Sequence, residues 1–116
     1  MSKSDDLEFI GHIIGEVDFI LNTTDGLSEA FFIEDELLKR AVVRAFEIIG
    51  QATKNLDMDF RYRYPGVPWK FMAGMRDILI HEYMGVDYAM VYKTAMEDIP
   101  ELQFQLEQII NEHNNK

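Results

Sequence analysis

The chain has 116 residues, 47% of them hydrophobic, with no cysteine and a formal net charge of −10. That size gives one domain with a real core, the missing cysteines exclude disulfides and thiolate metal sites, and no run approaches the ~20 apolar residues of a membrane span. The acidic balance argues against broad electrostatic binding to nucleic acid. Residues 1–8 are polar and acidic, unlike a signal peptide, so the expectation is a cytoplasmic protein with no membrane association and no direct role on DNA.

In chain order, Ser4 is a candidate N-cap, with Asp5, Asp6 and Glu8 in the first turn, where the helix dipole favours them. Leu7, Ile10, Ile14, Val17 and Leu21 follow a helical period. Asn22 to Gly26 stop that helix. Residues 28–32 read as a short turn or helix start. From Glu34 a long helix is predicted, with Leu38, Ala41, Val42, Ala45, Ile48, Ile49 and Ala52 on one stripe, fading near Leu56. Residues 57–68 have no period, and Pro65, Gly66 and Pro68 mark them as a loop. Pro68 suits the first turn of the next helix, whose stripe is Trp69, Met72, Met75, Leu79 and Ile80, ending at residues 83–85. Asp87 is the expected N-cap of a fourth helix carrying Tyr88, Val91 and Ala95. Pro100 opens a fifth with Leu102, Leu106, Ile109 and Ile110, and a polar tail from Asn111 is expected to fray. No strand pattern, repeat or internal boundary appears. The reading is an all-α, up-and-down bundle of four or five helices over residues 1–116, with the methionines as core filler.

Residues 60–76 hold four basic residues and no acidic one, whereas the other 99 carry seven basic and 21 acidic. Arg61, Arg63 and Lys70 are interleaved there with Phe60, Tyr62, Tyr64, Trp69 and Phe71, a pattern that suits a single-stranded nucleic acid. A solvated loop anchored by Trp69 fits it equally well. This island leads into residues 76–83, where Arg76, Asp77, His81 and Tyr83 follow in turn. Arg76 is a permanent cation shaped to grip phosphate. His81 is suited to proton transfer near neutral pH. Asp77, four residues before His81, shares its helix face and is a candidate for fixing its tautomer. At ~100° per residue Arg76 and His81 point roughly 140° apart. They converge only if the helix ends near His81, which Gly85 suits, or if a second copy of the helix faces the first. A salt-bridged Arg76 and a helix-capping His81 are the plain structural alternative.

Other chemistry is missing from the sequence. His12, His81 and His113 are far apart, with no His-x-x-x-His or Glu-x-x-His pair for a di-metal bundle. Gly11 and Gly15 lie within a helix rather than a phosphate loop. No metal or cofactor is expected.

With these residues in view, the chain resembles the HEPN superfamily and within it the HepT-like toxins. The landmarks are Phe46 to Ala52, the segment from Tyr64 to Trp69, the Arg-x4-His-x-Tyr motif of Arg76, His81 and Tyr83, and Asp98 to Leu102. Gln51 departs from the Glu that many relatives place there. The resemblance implies a homodimer whose protomers both contribute Arg76 and His81 to one cleft. It implies metal-independent endoribonuclease activity, with His81 moving the proton, Arg76 stabilising charge on the phosphorus oxygens and Asp77 orienting or polarising His81. It also implies a partner, a minimal nucleotidyltransferase antitoxin, that silences the toxin by adenylylating Tyr83. The alternative is a non-catalytic, substrate- or nucleotide-binding subunit of a two-component nucleotidyltransferase, which the −10 charge suits.

Overall fold

A computed structural model describes residues 3–82 and 85–115. The described residues form seven helices and no strand: α1 Lys3–Thr24, α2 Glu29–Glu34, α3 Glu36–Asn55, α4 Met58–Arg63, α5 Trp69–His81, α6 Tyr88–Glu97 and α7 Ile99–Asn114. The five long helices are those expected, α2 falls where residues 28–32 read as a short turn or helix start, and α4 is an addition. Ser4, expected as the first cap, already lies inside α1.

The punctuation has local causes. At the end of α1, Thr24 turns its hydroxyl back onto the Ile20 carbonyl at 2.6 Å, and Gly26 takes φ +74°, a left-handed turn that glycine adopts without strain. Ser28 caps α2 by accepting from the Phe31 amide at 3.2 Å. Asp35 ends α2 and caps α3, accepting from the Leu38 amide at 3.0 Å. The helix expected from Glu34 therefore begins two residues later. Asp87 caps α6 as expected, accepting from the Met90 amide at 3.0 Å.

Residues 57–68 are not all loop. Residues Met58–Arg63 make one helical turn and a half around the buried Phe60. The Asp57 amide donates to Asp6 Oδ1 at 2.9 Å, so a side chain from α1 fixes where α4 begins. The tail does not fray at Asn111 either. α7 runs to Asn114, and His113 Nε2 lies 2.9 Å from the Tyr64 hydroxyl. Its ring also stacks on Phe60.

The core is built on α3, which packs most extensively against α5 on one side and α1 on the other. α3 contributes Val42, Ala45, Phe46 and Ile49; α5 contributes Met72, Met75 and Leu79; α7 closes over α1 with Leu102, Leu106 and Ile109. Each of these side chains larger than alanine is worth about 1.5–3 kcal/mol in burial. In α1 the buried set is Ile10, Ile13, Val17 and Ile20, while Leu7, Ile14 and Leu21 are half-buried. The methionine expectation holds for Met72 and Met75, but Met58 and Met96 are exposed.

Candidate active site on the fifth helix

Trp69 is buried, and its indole N–H donates to the carbonyls of Arg61 at 3.1 Å and Tyr64 at 3.0 Å. One side chain thus closes the basic island onto the first turn of α5. The rest of α5 follows, with Met72, Met75 and Leu79 in the core. The opposite face turns Phe71, Ile78 and His81 outward, with Phe71 47% and Ile78 48% exposed. His81 is the last residue of α5, two residues short of the end expected at residues 83–85. Tyr83, the candidate acceptor of AMP, lies outside the described residues.

Arg76 and Asp77 occupy the contact between α5 and α3. Arg76 Nη1 donates to Asp77 Oδ1 at 3.1 Å, and Lys54 Nζ from α3 donates to the same oxygen. The hydrogen bond from Lys54, and then that from Arg76, hold the Asp77 carboxyl below its ordinary value. It is ionised near neutrality, and the two contacts are lost only as pH falls through that lowered value. The expected partner of Asp77 was His81; its recorded partners are Lys54 and Arg76.

These residues stand on the wall between two grooves. A groove of about 750 Å³ is lined by Phe9 and His12 of α1, by Glu47, Gln51 and Asn55 of α3, and by Arg76 of α5. A second, of about 810 Å³, lies across α5 between Met58, Tyr62, Trp69, Lys70, Phe71 and Asp77. His81 lines neither.

The island is less uniform than its sequence. Phe60 and Trp69 are in the core, and Tyr64 is half-buried against His113. Burial, aided by the charge of Glu112, raises the Tyr64 phenol above its ordinary value. Tyr62 and Phe71 are the aromatic rings left exposed. Arg61 is half-buried and reaches the Leu56 carbonyl at 3.5 Å, whereas Arg63 and Lys70 are exposed.

Sequence reasoning missed Lys54 and the groove residues. Glu47, Gln51 and Asn55 are spaced by four along α3, away from the core stripe. That second, polar stripe was the available signal. Nothing local announced Lys54, which meets Asp77 across 23 residues.

Comparison with known proteins agrees with the family resemblance. Residues 13–109 match the family model described as "Ribonuclease HepT-like". A protein named "Putative RNase" from Caldanaerobacter subterraneus subsp. tengcongensis is 46% identical over 102 residues, covering 88% of this chain and 91% of that relative. Another of that name, from Methanocaldococcus jannaschii, is 42% identical over 116 residues, all of both chains. A "Probable ribonuclease HepT" from Thermococcus cleftensis is 40% identical over 102 residues, covering 88% and 93%. No solved structure matches the chain significantly.

Proposed function

The chain belongs to the HepT-like ribonuclease family, and from that premise we propose that it is a toxin endoribonuclease acting as a homodimer on single-stranded RNA. The observation that carries the reading is Arg76, an ion-paired guanidinium lining an open groove, on the helix that ends at His81. In one protomer His81 is not on the wall that Arg76 occupies. The outward apolar face of α5, with Phe71 and Ile78, supports pairing with a second copy, which brings two Arg76 and two His81 to one cleft.

The chemistry is transesterification at a phosphodiester. One His81 takes the proton of the ribose 2′-OH, and the oxygen attacks phosphorus. The bond to the 5′-oxygen breaks, and a protonated His81 gives that oxygen its proton. Arg76 donates to the non-bridging oxygens, where charge grows. A cyclic phosphate end and a 5′-hydroxyl result, and neither step requires a metal. Arg63 and Lys70, with Arg61 beside them, draw the RNA strand toward the cleft, and Tyr62 offers a ring for stacking.

Control is assigned to a minimal nucleotidyltransferase antitoxin. It transfers AMP from ATP to the Tyr83 hydroxyl with release of pyrophosphate, and the added phosphate competes for Arg76. The acidic remainder of the surface suits a protein partner.

The test has two arms. Purified protein incubated with RNA in EDTA should yield cyclic phosphate ends, and intact RNA would refute the ribonuclease. After coexpression with a nucleotidyltransferase encoded beside it, wild-type protein should gain the mass of AMP while Tyr83→Phe stays unmodified and toxic. An adduct persisting on Tyr83→Phe would place the modification elsewhere.

A further inference from the structure

The Lys54 ammonium, the Asp77 carboxylate and the Arg76 guanidinium form a chain of contacts joining α3 to α5. Both cations donate to one oxygen, Asp77 Oδ1, the arginine at 3.1 Å. Neighbouring residues on a helix diverge by ~100°, so an arginine does not meet the next residue's carboxylate by default. Lys54 supplies the reason, because it draws that carboxylate toward α3, where Arg76 already lies.

The stem of Arg76 is fixed by a second, independent feature. Gly50 is one turn before Lys54 on α3. A Cβ added there would stand 2.2 Å from Arg76 Cβ and 2.9 Å from the Met72 carbonyl oxygen. The backbones therefore approach so closely that only hydrogen fits at position 50, and Arg76 leaves its helix wedged against α3. Gly50 and Lys54 bracket the arginine, one at its root and one, through Asp77, at its head.

We infer that Lys54 is a positioning residue of this site: acting through Asp77, it sets the direction in which Arg76 presents its guanidinium to a phosphate. The inference rests on the ribonuclease reading for what Arg76 does, but not for how Arg76 is held. Its value is geometric. The side chains of Lys54, Asp77 and Arg76 are 35%, 46% and 30% exposed, and ion pairs this open add little to stability. An unheld arginine samples many rotamers, and a guanidinium that must meet charge as it develops loses effect when misdirected. Asp77, which the sequence suggested as an orienter of His81, serves Arg76 in this assignment.

The test compares wild type, Lys54→Met, Lys54→Arg, Asp77→Asn and the Lys54→Met/Asp77→Asn double variant on a single-stranded, mixed-sequence oligoribonucleotide. Lys54→Met should lower kcat about tenfold, well within the loss that misplaced groups produce, while KM moves less than about twofold and the urea midpoint stays put. Lys54→Arg should recover most of the rate. The double variant should be no slower than Asp77→Asn, because both changes cut one chain of contacts. Wild-type kcat in Lys54→Met, or losses that multiply in the double variant, would overturn the assignment. Should wild type leave the oligonucleotide intact, the ribonuclease reading fails by itself. The Nε–Hε resonance of Arg76 then decides the bracket alone: mobile in Lys54→Met if the bracket exists, unchanged if it does not.

Discussion

Two groups of cations in this acidic chain are held in opposite ways. Arg76 is wedged at its root by Gly50 and held at its head by Asp77, and that carboxylate is gripped in turn by Lys54. Arg63 and Lys70 lie in solvent on a segment whose backbone is fixed, since Trp69 ties the Arg61 and Tyr64 carbonyls together. In the first group the charge has a direction. In the second only the attachment point is set, and the charge is free to follow a flexible strand. A guanidinium that must meet a transition state needs the first arrangement, and attraction of a polyanion needs only the second. The net charge of −10 hides both.

The comparison breaks most visibly at the motif. Arg76→Ala and His81→Ala should each reduce RNA cleavage by about 10²–10⁴-fold, the range for loss of a positioned catalytic group. Neither side chain is buried, so the helical circular dichroism should be retained. Cleavage at the wild-type rate by His81→Ala would remove it from the chemistry.

Gly50→Val attacks the wedge rather than the charge. Its side chain has no room between Arg76 and the Met72 carbonyl. α5 must shift away from α3, at a cost of about 1–3 kcal/mol in urea unfolding. Activity should fall further than the residual folded fraction explains, because the shift carries Arg76 with it. A stable, fully active Gly50→Val would show that the close approach is incidental.

The smallest effects belong to the free cations. Arg63→Ala and Lys70→Ala should leave kcat and stability unchanged and weaken RNA binding alike for all sequences. Each should reduce the slope of log affinity against log salt by about 0.7, the value for one phosphate contact on a single strand. A loss of kcat in either variant would move that residue into the directed group.

The boundaries of this picture follow from the range of the interactions involved. The stripes of α3, α5 and α7 were legible because one face of each is apolar, although Ile80, placed on the α5 stripe, is 39% exposed. α1 is apolar over more than half its circumference, so periodicity alone chose Ile14 and Leu21. Packing against α3 and α7 buries Ile13 and Ile20 more deeply. α4 was invisible because six residues hold too little period to register. Arg76 and His81 stood out as candidates by residue type and spacing, and the structure adds where on α5 they lie. Lys54 did not stand out, since its role exists only after α3 and α5 have met.

The hydrogen bond from the Asp57 amide to Asp6 joins positions 51 residues apart, and that from Tyr64 to His113 spans 49. Between them lies α4, a helix of six residues, well short of the ~12–15 that a helix needs to persist unaided. The basic segment therefore cannot take shape while it emerges from the ribosome. It waits for α1 to be docked behind it and for α7, made 49 residues after Tyr64, to supply His113. Loop closures of that length come late in folding. During synthesis the amides of residues 58–63 should be the last of the helical set to gain protection from hydrogen exchange, and in the mature protein among the first to lose it. A nascent chain that has not yet made His113 carries its motif helix without the contact that finishes the segment from Met58 to Tyr64, so the order of synthesis itself sets when that surface appears.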